Sequence, residues 1–411
     1  MENRTVGKAR LWTKDFILFT LANLFGGLHF YLLITLMAVY AIEQFQASQS
    51  QAGLASGIFI IGAVFARLIA GKYTEVIGRK RLLYGSLILN VLFMLLYFTA
   101  GDITLLLFVR FLHGVAFGCA NTVLATAVMD LIPAQRRGEG TGYFSLAGTC
   151  GTAIGPFLGI YIANKYNYDM VFAVSVGFSL AGLFIMLFCK IPQAQLTREQ
   201  LMRMKKGLRP SDFFEINALP ITFVMIIMGI GYSGIVSFIN PYAMEIGLEN
   251  EARYFFIVFA AFLIFARPFA GRLLDRKGDN IVMYPGIFIF SLSLLVASLA
   301  QNGFTLLAAA ALTALGYGTL MSSALTIAVK HSPRHRVGLA TSTFFVCLDS
   351  GLGIGPYLLG LLIPYVHFRG MYLILAVLVL MSVFVYYSLH GRKAAAEMRR
   401  KPIRAQSAAK G

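Results

Sequence analysis

Long apolar runs separated by short polar segments make up most of this chain. Twelve such runs can be counted, and an α-helix needs about 20 apolar residues to cross the hydrocarbon core of a bilayer. The runs lie near residues 16–40, 51–70, 82–100, 103–127, 141–164, 168–189, 216–240, 254–271, 281–300, 303–328, 338–363 and 370–389. The pattern therefore predicts an all-α integral membrane protein with twelve transmembrane helices.

The chain also repeats itself at an offset of 200 residues. Residues 65–71 and 265–271 are identical at five of seven positions, and later glycines keep the same offset. Solenoid repeats have periods of about 20 to 50 residues, so this repeat is of another kind. We expect two pseudo-symmetric six-helix bundles, formed by residues 16–189 and 216–389.

The composition agrees with a membrane location. Of the 411 residues, 58% are hydrophobic and only 13% are charged, whereas soluble proteins carry about 25% charged residues. The net charge of +17 is spread between the apolar runs and at both ends, so we expect no nucleic-acid partner, which would require a basic soluble domain. The four cysteines lie inside apolar runs without metal-type spacing, and we expect neither a metal site nor a cofactor.

Lys and Arg residues indicate which side of the membrane each loop faces. Of the 35, 29 fall on the side that carries both termini and three on the other side. Because cytoplasmic loops are rich in Lys and Arg, we expect a cell-membrane protein with both termini in the cytoplasm, near anionic lipid headgroups. The cytoplasmic segments would be an N-terminal tail, a linker and a basic tail, at residues 1–15, 190–215 and 390–411. The linker fits either a short helix on the membrane surface or a flexible chain.

The loop after the second apolar run and its counterpart in the second bundle share glycines and an acid at matched positions. The residues are Gly71, Glu75, Gly78, Arg79 and Lys80 in the first copy, and Gly271, Asp275, Arg276 and Gly278 in the second. Glycines permit a tight turn, and an acid is stabilised at a helix N-terminus. We interpret the loops as a cytoplasmic latch whose opening lets the bundles move. Anchoring by positive charge alone would explain the basic residues but not the matched acids.

The fifth run carries glycines at intervals of four residues together with a proline, and the eleventh run repeats part of this pattern. The residues are Gly151, Gly155, Pro156 and Gly159, then Gly355 and Pro356. Residues four apart share one helix face, so the glycines offer a smooth groove to a partner helix. The proline removes a backbone donor and bends its helix.

These motifs resemble those of the major facilitator superfamily. Its loop pattern, G-x-x-x-D-R-x-G-R-R, fits both copies, although the first has Val76 in place of Arg and the second lacks the final basic pair. Its antiporter pattern, G-x-x-x-G-P-x-x-G-G, fits the fifth run except at Ile160, and Arg110 with Gly114 matches its R-x-x-x-G element. The resemblance covers both bundles. It implies two halves that rock around a central site, and the antiporter pattern implies the drug/proton antiporter branch, which exports.

Proton coupling requires a group that is charged in one state and neutral in another. Asp349 lies in an otherwise apolar run, about 16 Å from its cytoplasmic start, and is the first candidate for a proton or cationic-substrate site. Pairing with an arginine in a structural role is the alternative. Arg67 and Arg267 occupy matched positions near the cytoplasmic ends of the second and eighth runs. They favour an electrostatic contact between the halves over the alternative, a contact with substrate.

Three further residues are candidates for proton coupling. Arg110 and His113 share a face of the fourth run, and His29 lies midway along the first. Histidine titrates near neutral pH, and an intramembrane arginine normally faces a bundle interior. The alternatives are hydrogen-bonded structural roles for the histidines and an Arg110 side chain that reaches the outer surface.

The resemblance also implies a central pocket formed by the first, fourth, seventh and tenth helices. Besides the charged candidates, its predicted lining residues are Asn23, Tyr232, Ser233, Asn240, Thr313 and Tyr317. Pockets of this kind combine aromatic walls with a few polar groups.

The sequence therefore favours a monomeric secondary active transporter that exports small amphipathic compounds in exchange for protons. A specific importer or exporter of a metabolite, such as a sugar, an organic acid or a metallophore, is the alternative. A non-transporting receptor is disfavoured because no sizeable soluble signalling domain is found, and an enzyme because no nucleophile–base pair or phosphate-binding loop is evident.

Overall fold

The computed structural model describes residues 10–133, 136–193, 213–333 and 336–396, without side-chain detail for Gly71, Lys72, Arg137, Gly138, Pro268 and Asp275. The described chain is helical and joined by short turns. The first half contains α1 (Lys14–Phe45), α2 (Gln49–Ile77), α3 (Arg79–Leu95), α4 (Ile103–Leu131), α5 (Arg137–Lys165) and α6 (Tyr168–Leu187). The second half begins with α7 (Leu219–Glu245), α8 (Glu249–Lys277), α9 (Asn280–Ser298) and α10 (Gly303–Lys330).

The last helical segment, Val337–Tyr386, contains two membrane-spanning lengths. His367 has φ 57° and ψ 176°, and this left-handed residue divides the segment into α11 (337–366) and α12 (368–386). Eleven segments of the described chain are long and apolar enough to cross a membrane, and the last of them has 60 residues. Since 60 residues can cross twice, the predicted fold of twelve membrane-spanning helices is confirmed.

The last helix ends later than the sequence predicted. Helical structure continues past residue 389, through a π-helical turn at Tyr387–Gly391, to Ala396. The last helix therefore extends into the predicted basic tail at 390–411, and the cytoplasmic position of this tail stays a prediction. Most of the predicted linker at 190–215 lies outside the described residues, as do residues 1–9 and 397–411 of the tails.

The 200-residue repeat is visible in the helices. α2 and α8 begin at residues 49 and 249 and end at 77 and 277, and α4 and α10 begin at 103 and 303. The caps match as well: the side chains of Asp102 and Asn302 accept from the backbone N–H of Leu105 and Thr305. A side-chain oxygen at this position satisfies an N–H that a helix start leaves unpaired.

Each half is held together by apolar helix packing. In the first half, α1 packs on α5 and α6, and α4 packs on α2 and α3; in the second, α7 and α9 pack on the α11–α12 segment. The halves meet where α2 contacts the α11–α12 segment, α5 contacts α8, and α1 contacts α7. We call the side with the start of α1 and the end of α12 the terminal side, and the opposite one the far side.

Candidate site between the two halves

An ion pair joins the two halves near the middle of the helices. Arg67 of α2 donates from Nη1 to Oδ2 of Asp349 in α11 over 2.6 Å, and each side chain is only 16% exposed. The Arg67 guanidinium also lies 5.3 Å from the centre of the Phe345 ring. Asp349 is twelve residues from the start of α11, or about 18 Å along a helix axis. The contact is therefore close to mid-depth.

From this ion pair to the far side, α2 and α11 are in close backbone contact. A Cβ added at Gly53 would lie 1.9 Å from the Pro356 carbonyl oxygen, and one at Gly57 would lie 2.0 Å from that of Gly353. A Cβ at Gly360 would lie 2.2 Å from the carbonyl oxygen of Gln49. We call these contacts the glycine seam. Only glycine permits such an approach, so the seam closes the far side of this interface.

On the terminal side, faces of α5, α8 and α11 meet no described neighbour at three glycines. A Cβ added at Gly142, Gly271 or Gly338 would have no atom of another described segment within 4 Å. They share a face with Thr149 of α5, Arg267 of α8 and Asp349 of α11, respectively, because their spacings of 7, 4 and 11 residues are close to whole helical turns. The halves therefore separate toward the terminal side.

A second contact between the halves is related to the first by the repeat. Arg267 donates from Nη1 to the Thr149 hydroxyl over 2.9 Å. Arg267 is 200 residues after Arg67, and Thr149 is 200 residues before Asp349. The two arginines thus occupy equivalent positions, but only Arg67 has a carboxylate at the equivalent partner position.

An aromatic group lies beside these arginines. The rings of Tyr232 and Tyr317 stack with centroids 4.0 Å apart and planes 9° apart. Tyr31 of α1 has Thr152, Asp349 and Arg267 as polar neighbours, and it also interacts electrostatically with both stacked tyrosines. Aromatic surface and charged groups therefore meet at the contact between the halves.

The remaining residues predicted for the pocket of the second half are buried among its helices. The Ser233 hydroxyl donates to the Ile230 carbonyl and packs against Gly355 of α11. Thr313 is fully buried and donates to the Ala309 carbonyl, and Asn240 is 6% exposed in α7. Ser233 and Thr313 therefore contribute to helix packing in this state, and the pocket positions of all three residues stay predictions.

Arg110 and the two histidines form a polar cluster inside the first half. The Arg110 guanidinium is 1% exposed and donates to the carbonyls of Ala55 and Ser56 and to the Tyr97 hydroxyl, over 2.9, 3.3 and 3.4 Å. The alternative in which Arg110 reaches the outer surface is therefore wrong. Its described acceptors are carbonyls and a phenol, and all of them lie within the same half.

His113 continues this cluster to His29. His113 Nδ1 lies 2.8 Å from the Tyr97 hydroxyl, and the two imidazole rings are stacked 5.7 Å apart. The Nε2 atoms of both histidines are buried without a hydrogen-bond partner among the described residues. His29 and Asn23 also line a cavity of about 30 Å³, which is large enough for a water molecule.

The predicted latch residues form contacts within their own halves. Arg79 bonds Glu75 and Asp130, with shortest distances of 2.6 and 2.5 Å. The turns before α3 and α9 depend on Gly78 and Gly278, whose φ angles are 96° and 85°. Lys80, Gly271 and Arg276 are exposed, whereas the surroundings of Gly71 and Asp275 are not described. A latch between the halves stays a prediction.

The second half has the opposite charges at the matched position. Asp279, the counterpart of Arg79, accepts from Lys330, His331 and His390 over 3.2, 3.5 and 2.9 Å. Burial raises the pKa of Asp279, but the hydrogen bonds from His331 and His390 and the charge of Lys330 outweigh it. The pKa of Asp279 therefore lies well below its usual value, and the residue is ionised at neutral pH.

Asp279, His331 and His390 are also the described residues best placed to hold a metal ion. Their ligand atoms lie within 4.8 Å of one another. The two oxygen–nitrogen distances, 2.9 and 3.5 Å, are close to the spacing of about 3.3 Å between neighbouring ligands of tetrahedral zinc. Lys330 bonds the other carboxylate oxygen, so the group is also complete as an ion-pair cluster. The prediction that the chain has no metal site stays a prediction.

The predicted antiporter motif packs helices within the first half. A Cβ at Gly151, Gly155 or Gly159 would lie 2.8 to 3.0 Å from atoms of α1. In the second half, Gly355 faces Ser233 of α7, while Pro356 forms part of the seam with α2. The glycines of the two motifs thus have equivalent partners, α1 and α7, and in α11 Pro356 also contacts α2 of the other half.

Sequence reasoning missed Thr149, Tyr31 and Tyr97. The repeat offset, applied to Asp349, leads directly to Thr149. For Tyr31 and Tyr97 the sequence carries no comparable signal, because both are aromatic residues within or beside apolar runs. Their importance depends on which helix face they occupy.

Two similar six-helix halves that meet around a charged centre define a multi-pass membrane transporter. A sequence model of the Major Facilitator Superfamily matches residues 19–278 and 249–410. The chain belongs to the major facilitator superfamily, as its motifs predicted, and it is a secondary transporter. Its relatives are transporters rather than enzymes, in agreement with the sequence prediction.

Curated relatives and solved structures are similar over most of the chain. The staphylopine export protein of Staphylococcus aureus is 24% identical over 83% of this chain and 87% of that protein. Multidrug resistance protein MdtG of Escherichia coli is 24% identical over 93% of this chain and 96% of that protein. A bacterial homologue of the human lysosomal transporter Spinster, in an inward-facing and unoccupied conformation, has a TM-score of 0.75 at 15% identity, over 93% of this chain and 98% of that one. This last similarity supports the fold.

Proposed function

We propose that the protein exports small amphipathic compounds across the cell membrane in exchange for protons, with Asp349 as the proton-binding group. The observation that carries this proposal is the Arg67–Asp349 ion pair, since it joins the halves where the seam ends. The basic terminal side would face the cytoplasm. The opening on that side would receive the compound before export.

The ion pair supplies a coupling mechanism. While Asp349 is ionised, it holds α2 against α11 and keeps the far side closed. A proton on Asp349 removes this attraction and leaves Arg67 a partly buried cation without a counter-charge. The closed seam then loses its electrostatic support, which favours the state that is open to the far side.

The free energy released by one proton is comparable to the cost of breaking the ion pair. Removing one partner of a buried ion pair costs about 3 kcal/mol or more, and the partial exposure of this pair lowers that figure. A proton that moves down one pH unit and 100 mV releases about 3.7 kcal/mol. One proton per cycle is therefore enough to shift the balance between the two states.

The test uses purified protein in liposomes with an imposed pH gradient and an internal pH dye. Cationic drugs, sugars, organic acids and metallophores are added one at a time. We expect several amphipathic compounds to dissipate the gradient with the native protein and none to do so with Asp349→Asn. Asp102→Asn is the matched control, because Asp102 is an exposed helix cap and asparagine caps equally well.

Unchanged proton flux in a folded Asp349→Asn variant would refute the role of Asp349. Counterflow of labelled compound provides the second measurement, because exchange without net proton movement should survive in that variant. Loss of both activities, with the Asp102→Asn variant unaffected, would instead place Asp349 in substrate binding.

The similarity to the staphylopine export protein supports a second candidate, the export of one metallophore. The liposome assay distinguishes the two candidate functions. If a metallophore alone dissipates the gradient and the drugs do not, the protein is a specific exporter. Flux driven by compounds of several shapes favours the first candidate.

A further inference from the structure

Arg267 is a cation of this interface for which the described residues offer no counter-charge. Its Nη1 donates to the Thr149 hydroxyl, and its Nε is buried without a hydrogen-bond partner among those residues. Within the part of the chain that the structure describes, no carboxylate pairs with this guanidinium, and its electrostatic neighbour is Tyr31. A buried guanidinium is costly unless an anion compensates it.

The equivalent arginine of the first half has a counter-charge. Arg67, at the equivalent position, is neutralised by Asp349 of the opposite half. At the position equivalent to Asp349, the chain has Thr149, which accepts a hydrogen bond but carries no charge. The contact layer formed by Arg67, Arg267 and Asp349 therefore has one uncompensated positive charge.

The surroundings of Arg267 suit an amphipathic ligand. Tyr31 interacts electrostatically with the arginine and with the stacked pair of Tyr232 and Tyr317. Gly271, one turn further along the same face of α8, meets open space on the terminal side. A compound entering from that side would reach the guanidinium and an aromatic surface together.

We propose that Arg267 binds an anionic group of the transported compound, so that the substrates are amphipathic carboxylates. A guanidinium presents donors in a fork that matches a carboxylate, and Thr149 carries no charge, so a bound ligand can supply the missing one. This inference rests on the proposed transport function. It adds the chemical class of the substrate and a residue that selects it.

The test compares matched compounds that differ only in charge. Purified protein is heated in detergent with phenylbutyrate, phenylbutyramide or phenylbutylamine, and with the corresponding naphthylethyl and indolylpropyl compounds. We expect the carboxylates to raise the unfolding temperature of the native protein and the amides and amines not to do so. Arg267→Gln should raise the half-saturating carboxylate concentration at least about tenfold. Arg253→Gln, on the same helix, should leave it unchanged.

Thr149→Asp provides a variant that gains a contact. It places a carboxylate opposite Arg267, as Asp349 lies opposite Arg67, and should therefore exclude carboxylate ligands by at least about tenfold. Thr149→Asn has the same shape as Thr149→Asp without the charge and should bind carboxylates at least about tenfold more tightly than Thr149→Asp. If Thr149→Asp and Thr149→Asn bind carboxylates equally well, the inference is overturned.

Other results also decide the matter. Stabilisation by amines as strong as by carboxylates, or by no carboxylate of the three scaffolds, would refute an anion site. Carboxylate binding that depends on Arg267, but without proton flux in liposomes, would support this site and refute proton coupling. Amine-driven proton flux that requires Asp349 would support proton coupling and refute the anion site at Arg267.

Discussion

At the scale of single residues, the charged groups of this protein fall into two kinds. Arg110 is satisfied within its own half, where it fastens α4 to the backbone of α2. Arg67, Asp349 and Arg267 act across the boundary between halves. A charge that bonds within one rigid half cannot sense how the halves are arranged, whereas one that bridges them can. The second kind is therefore better suited to energy coupling.

The first prediction concerns the bridge itself. Arg67→Asp or Asp349→Arg alone places like charges together and should lower the unfolding temperature in detergent. The double exchange restores opposite charges and should recover part of the loss, with a coupling free energy of about 1 to 3 kcal/mol. A double-mutant cycle of thermal unfolding measures it. Purely additive losses would mean that the pair does not stabilise this state.

The pairing of Arg67 with Asp349 could not be predicted from the sequence. The run that contains Asp349 predicted a charge at mid-depth. The matched positions of Arg67 and Arg267 predicted an electrostatic contact between the halves. The sequence did not predict that Arg67 and Asp349, 282 residues apart, would be partners. Which face of a helix a residue occupies depends on how that helix is rotated in the bundle, and apolar runs that are buried all round carry little information about rotation.

At the scale of helices, α11 uses two faces for two tasks. Gly351 and Gly355 pack against α7 of the same half, while Gly353 and Pro356 pack against α2 of the other half. The repeat predicted the helices and their order, and the glycines predicted close packing. The partners were not predictable from the pattern, because small residues on adjacent faces look alike in sequence.

The second prediction tests the seam by one methyl group. Gly53→Ala would place a Cβ 1.9 Å from the Pro356 carbonyl oxygen, so α2 and α11 must separate. We expect substrate-driven proton flux in liposomes to fall at least about tenfold, as a loss of 1.4 kcal/mol would cause. The control is Gly85→Ala in α3, where an added Cβ meets nothing within 4 Å.

The control is closely matched, because both substitutions replace a glycine inside a helix and gain about 1 kcal/mol of helix propensity. A difference in proton flux between the two variants therefore measures the effect of separating α2 from α11. Full flux in a Gly53→Ala variant that is as well folded as Gly85→Ala would show that close approach of α2 and α11 is not needed for transport.

At the scale of the whole molecule, the two equivalent interfaces between the halves are not equal. The α2–α11 interface has the glycine seam and the ion pair. At the α5–α8 interface, aromatic residues such as Phe157 and Tyr254 meet instead, with ring centroids 6.0 Å apart, and Arg267 faces Thr149. Pseudo-symmetry therefore supplies two equivalent contacts, one of which is neutralised internally. The other, at Arg267, is the one that we propose a ligand neutralises.

The third prediction concerns the arrangement of the halves. Spin labels at Gly142→Cys and Gly271→Cys, on α5 and α8, would lie on faces that meet open space on the terminal side. The native cysteines would first be replaced by serine, and distances would be measured by double electron–electron resonance. Because asparagine mimics a protonated Asp349, Asp349→Asn should weaken the far-side contact and shift the label distances toward shorter values. Asp102→Asn should keep the native distribution. If the two variants give the same distribution, the charge of Asp349 does not control which side is open, and the ion pair is a structural contact of the closed far side.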